Sequence, residues 1–187
     1  MTTTLAIRPA QIDDARAMAR VHVDTWRAAY VGIVSDEHLA NLSYARCQAG
    51  WIEHLSDPQG ELTFVAETQA GQIVALVSGG PLREPLEGFD GELYVLYVLP
   101  AFQGLGCGRL LVERLAGELA RQGYSSLVIW VLKDNPACRF YEKLGGRRNG
   151  EKVVEIGGEP LVDVAYVWPD LAVFGQAGLP PGGPPAK

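Results

Sequence analysis

Three glycines stand close together in the run Gln103-Gly104-Leu105-Gly106-Cys107-Gly108-Arg109, between an apolar strand-like stretch and a segment with helical spacing. Glycine puts no Cβ between the backbone and a ligand. At the start of a helix the first N–H groups have no partner and the helix dipole adds partial positive charge. The chemistry this suits is the binding of a phosphate. Two common nucleotide loops fail on particular residues. A Walker A loop needs G-x-x-x-x-G-K-[ST], and no lysine follows these glycines. A dinucleotide fingerprint needs G-x-G-x-x-G and an acid about twenty residues on, whereas the spacing here is G-x-G-x-G and the later residue is Val128.

Other chemistries find little support. Cys47, Cys107 and Cys138 are far apart, without a C-x-x-C pair, and His22, His38 and His54 lack i,i+4 spacing, so no metal site is expected. Sixteen Lys and Arg against 22 Asp and Glu leave a net charge of -6, which disfavours a nucleic-acid partner. No apolar run reaches the roughly 20 residues that span a bilayer, and the N-terminus lacks the basic and apolar regions of a signal peptide. A cytoplasmic protein that does not enter membranes is expected.

The elements around the glycine run follow from hydrophobic period. Leu5–Arg8 reads as a strand closed by Pro9, and Asp13 and Asp14 as the first turn of a helix reaching about Tyr30. Ser35 and Ser43 look like N-caps of two further helices, ending near Leu42 and His54. The period then changes to two. Glu61–Glu67 and Gln72–Ser78 form a hairpin, and Glu92–Leu99 a third strand stopped by Pro100. A long helix from about Gly106 to Gln122 carries Leu111, Leu115 and Leu119 on one face. Leu127–Leu132 is uninterruptedly apolar and should be a central strand covered on both faces. Asn135-Pro136 opens the last helix, and Lys152–Ile156 with Val162–Trp168 make a closing hairpin. The fold class expected is α/β: a mixed, mostly antiparallel central sheet of about seven strands with helices on both faces. One domain is expected over residues 1–170, followed by a flexible Pro/Gly-rich tail, 171–187.

The pattern Gln103-x-x-Gly106-x-Gly108 between strand and helix resembles motif A of the GCN5-related N-acetyltransferases. The N-terminal IRPAQIDDARAMARVHVDTWRAAY and the later Asn135-Pro136 with RFYEKLGG are similar to other parts of that family, in the right order. The resemblance implies an acyl-CoA N-acyltransferase fold and acetyl transfer from acetyl-CoA to a primary amine, by direct attack in a ternary complex. It implies that Gln103, Gly104, Leu105, Gly106, Cys107, Gly108 and Arg109 wrap the pyrophosphate, with the Gln103 side chain adding a donor. It also implies that the backbone of Leu96, Tyr97 and Val98 faces the pantetheine arm, with the Val98 N–H polarising the thioester carbonyl. Asn135 matches a coenzyme-contacting asparagine and is also a natural N-cap. Tyr141 matches the tyrosine that protonates the departing thiolate.

For a general base, strand alternation puts Glu92, Tyr94, Leu96 and Val98 on one face, and Glu92 matches the catalytic glutamate of histone-acetylating relatives. Trp26 and Tyr30, one helical turn apart, are candidates for the wall of the acceptor site, with Tyr94 nearby in the strand. The partners implied are a small-molecule or peptide amine and, through the C-terminal strands, a second copy of the chain. Two other readings stay open: an acyl-CoA-binding module without turnover, and a protein N-terminal or lysine acetyltransferase.

Overall fold

The computed structural model describes residues 5–175, and the element order matches the expected one. Strands β1 (Leu5–Pro9), β2 (Leu62–Thr68), β3 (Ile73–Pro81), β4 (Gly91–Val98), β5 (Leu127–Leu132), β6 (Arg147–Ile156) and β7 (Glu159–Trp168) form one sheet. Their order is β1-β2-β3-β4-β5-β7-β6. Every pairing is antiparallel except β4 with β5. Helices α1 (Ala15–Ala29), α2 (Asp36–Ala40) and α3 (Tyr44–Ser56) pack on one face, and α4 (Cys107–Arg121) on the other, near the short α5 (Cys138–Lys143).

Several boundaries differ from the periodic pattern, each for a local reason. The first helix starts at Ala15 because Arg8 draws the Asp14 carboxylate into two hydrogen bonds, of 2.6 and 2.9 Å, leaving Ile12–Asp14 as a tight 3-10 turn. The last helix begins three residues after Asn135. The Asn135 side-chain oxygen accepts from the Ala137 N–H at 2.9 Å, which holds a turn ahead of the helix. The closing hairpin is longer than expected, with ten residues in each strand. Residues 171–174, assigned to the tail, instead form a helical turn. Leu171 and Phe174 are buried there, and Phe174 lies 5.6 Å from the Trp168 ring. Apolar side chains thus extend the domain past residue 170, while 176–187 lie outside the described residues.

The core fills both faces. Leu111, Leu115 and Leu119 of α4 are fully buried against the sheet, as their i,i+4 spacing predicts. Each such leucine contributes roughly 1.5–3 kcal/mol of transfer free energy. β5 is covered on both sides: Leu127, Ile129 and Val131 pack toward α4, and Val128 packs with Leu82, Leu86 and Phe89 of the loop before β4.

One irregularity governs the rest. Opposite β4, Ser78 pairs with Val95 but Gly79 pairs with Leu93, so Tyr94 is an extra residue in a β-bulge. Alternation restarts after it. Leu93, Leu96 and Val98 pack on the α4 side, whereas Val95 and Tyr97 pack on the α1 side. The single face expected for Glu92, Tyr94, Leu96 and Val98 is therefore broken in the middle.

Candidate active site

β4 and β5 pair only at Gly91 with Leu127 and Glu92 with Val128. Beyond that point β4 continues along β3 and β5 continues along β7, so the two strands part. A cleft of about 560 Å³ opens between them. Because the sheet itself is parted, residues of both faces line it. Leu96, Val98, Ile129, Val131, Phe140 and Tyr141 come from the α4 side, and Thr25, Tyr30, Tyr94 and Val95 from the α1 side. The Leu99 N–H bonds to the Val74 carbonyl on β3 at 3.0 Å. By strand alternation the Val98 N–H and C=O point the other way, toward the opening. The Val98 oxygen accepts from the Gln103 side-chain amide at 3.0 Å, so one of the two Gln103 N–H groups braces the loop on the strand.

The glycine run has the backbone that phosphate binding requires. Gly104 and Gly106 lie at φ +75° and +84°, a region that costs other residues roughly 1–2 kcal/mol. Gly108 has an ordinary φ and matters for space: a Cβ there would sit 3.2 Å from Phe140 Cζ. Leu110 is the first residue of the turn whose N–H reaches a carbonyl, that of Gly106, at 3.1 Å. Among the described residues the N–H groups from Gly104 to Arg109 have no partner. The side chains of this run do less. Cys107 is buried, which pushes its thiol up to about 11, Leu105 points outward, and Arg109 reaches Glu113 at 3.4 Å.

Tyr141 is 4% exposed and lines the cleft. Burial raises its phenol well above the ordinary value, and the nearby Tyr30, Tyr97 and Cys138 add to the shift. Asn135 is buried and lines the same cleft. The Trp26 and Tyr30 rings stack at 4.5 Å, but they divide in role. Tyr30 lines the cleft, whereas Trp26 donates to the Tyr97 hydroxyl at 2.9 Å inside the α1 layer. Tyr97 contributes backbone to the cleft, while its ring stacks 4.5 Å from His22.

Glu92 is not brought to the site. It is 2% exposed, sits where β4 and β5 are still paired, and is absent from the cleft wall. Its carboxylate accepts from the Arg83 N–H at 3.0 Å and from Arg83 Nε at 2.9 Å. Arg83 also stacks over the Tyr94 ring, 4.4 Å from its centre. The bulge explains the discrepancy, because it returns Leu96 and Val98 to the opposite face.

Thr25, Ala28 and Ala29 on α1 and Trp130 on β5 also line the cleft, and none of them was among the candidate site residues. The i, i+3, i+4 spacing of the first three was the available signal, but in sequence it reads as a helix face like any other.

Unpaired amides at a helix start, beside strands parted wide enough to receive an extended chain, fit a phosphorylated carrier with an amide-bearing arm. This architecture defines an acyl-CoA-dependent transferase. The FR47-like family model matches residues 82–154, the span from the loop before β4 into β6. An uncharacterized N-acetyltransferase, YuaI, of Bacillus subtilis is 36% identical over 170 residues, covering 91% of this chain and 96% of that protein. A GCN5-related N-acetyltransferase from Rhodopseudomonas palustris superposes with TM-score 0.70 at 28% identity, over 89% of this chain and 96% of the other. The yncA protein of Salmonella typhimurium, solved with its cofactor acetyl-CoA, superposes with TM-score 0.66 at 23% identity, over 89% of this chain and 94% of the other. The chain belongs to the GCN5-related N-acetyltransferase superfamily, and it is an acetyl-CoA-dependent N-acetyltransferase.

Proposed function

We propose that this enzyme transfers acetyl directly from bound acetyl-CoA to the amine of a small molecule, with both held in the cleft at once. The observation that carries the reading is the run of unpaired N–H groups from Gly104 to Arg109, opening on the gap between β4 and β5. These amides hold the pyrophosphate with help from the α4 dipole. The edge of β4 from Leu96 to Val98 faces the pantetheine arm and the thioester, and its open groups receive the arm's amides as they would a peptide strand. Asn135 borders that arm.

Catalysis rests on orientation and polarisation. The Val98 N–H bonds to the thioester oxygen more strongly as negative charge develops on it. The Tyr141 hydroxyl then gives its proton to the departing thiolate. Glu92, committed to Arg83, is no longer the candidate base.

A small acceptor is favoured over a peptide segment because the α2 segment and the closing hairpin pack together beside Tyr30 of the cleft wall. Val34 and Leu39, beside and within α2, pack with Val154, Ile156 and Leu161 of the closing hairpin. At its tip Gly157 approaches His38 so closely that a Cβ would lie 2.9 Å from the His38 Cβ. The test combines calorimetry with CoA and thiol release from acetyl-CoA across amines and peptides. Binding with release on small amines is expected. Binding without release on any acceptor would make the chain a sensing module, and absence of binding would end the reading.

A further inference from the structure

Helix α1 turns two different faces inward. His22 and Trp26 pack around Tyr97, whereas Thr25, Ala28 and Ala29, at i, i+3 and i+4, line the cleft. The two alanines make this wall recessed. Thr25 is 6% exposed, and its Oγ1 has no hydrogen-bond partner among the described residues. A buried hydroxyl left unpaired is destabilising, a cost that a ligand group reaching it would offset. Tyr30, Tyr94 and Trp130 supply aromatic walls on the same side of the sheet.

Among the described residues, none lining the cleft is charged. This matters for the proton that an ordinary alkylammonium must lose before it can attack. The phenols of Tyr30, Tyr94, Tyr97 and Tyr141 are all raised, chiefly by burial, so they stay protonated and cannot take it. Outside the wall, Glu92 is engaged by Arg83, and Lys152 by Glu84 at 2.7 Å. Asp163 and Cys138 act on Tyr30 only through space, and neither lines the cleft.

Resting on the transferase reading above, we propose that the acceptor is a compact, weakly basic amine on a flat apolar body, and that the Thr25 hydroxyl bonds its one polar substituent. Such an amine arrives as the free base. Its lone pair forms the C–N bond as the C–S bond breaks, Tyr141 gives its proton to the departing thiolate, and the proton that nitrogen sheds returns to the Tyr141 phenolate. The flat body lies against Tyr30, Tyr94 and Trp130, and the recess left by Ala28 and Ala29 admits it.

The test is thiol release from acetyl-CoA with aniline, 4-aminophenol, tyramine and spermidine, for the wild type and Thr25→Val, with CoA calorimetry alongside. For 4-aminophenol, kcat/KM should exceed that for tyramine and spermidine at neutral pH and stay flat from about pH 6 to 9. Thr25→Val should raise KM for 4-aminophenol about tenfold, with a smaller effect on kcat, and erase its advantage over aniline. Turnover that favours tyramine or spermidine, or an unaltered KM in the variant, would overturn the proposal. So would CoA binding without release on either weak base. Loss of CoA binding itself would instead overturn the transferase reading.

Discussion

The Arg83 guanidinium and backbone N–H both donate to the Glu92 carboxylate, closing it to other partners where β4 and β5 are joined. Glu92 is almost fully buried, whereas the Arg83 side chain is 56% exposed. Solvent therefore screens one end of the pair, and its contribution to stability should be about 1–2 kcal/mol. Glu92→Gln should lower the thermal midpoint while leaving kcat/KM within about threefold of wild type. A loss of about a hundredfold or more, in a variant that still folds, would restore Glu92 as the base.

Tyr141→Phe should lower kcat about 10²–10³-fold with little change in CoA affinity, since the ring that packs in the core is kept. Burial raises the Tyr141 phenol, so the protonated, donating form persists to higher pH than for a free tyrosine. The wild-type rate should accordingly show no alkaline loss from this group up to about pH 10. A pH–rate profile on wild type and variant tests both statements.

Gly106→Ala and Gly108→Ala should weaken CoA binding for different reasons. At Gly106 space is open but φ is +84°, so a side chain strains the backbone and turns the amides, and about a tenfold loss is expected. At Gly108 the backbone is ordinary, but the new Cβ meets Phe140, pressing the start of α4 away from α5. Gly108→Ala combined with Phe140→Leu should recover affinity, whereas Gly106→Ala with Phe140→Leu should not. Calorimetry with CoA reads all four proteins.

Asp90 should set part of the acid stability. Burial disfavours its charge, but hydrogen bonds from the hydroxyls and N–H groups of Ser125 and Ser126 outweigh that and lower its pKa to about 2. The folded value lies below the unfolded one, so the stabilisation is complete above about pH 4 and is lost as pH falls toward 2. Asp90→Asn should remove about 1–2 kcal/mol at neutral pH and flatten that acid limb, as measured by urea unfolding at a series of pH values.

Local pattern was enough for much of this protein. The period-two runs announced the strands, Leu111, Leu115 and Leu119 announced the buried face of α4, and the glycine spacing announced the turn of open amides at the start of α4, because each depends on residues near one another in the chain. Side alternation along β4 was not legible, since the bulge at Tyr94 arises from how β3 pairs with it across the sheet. The pairing of Arg83 with Glu92 was hidden too, because a nine-residue loop must close before the two meet. Nor could the spacing of Thr25, Ala28 and Ala29 tell a cleft wall from a core face. Sequence by itself determined which backbone could grip a phosphate. Tertiary structure alone decided that the Glu92 carboxylate is held by Arg83 and which side chains line the cleft, because both depend on where β4 leaves β5.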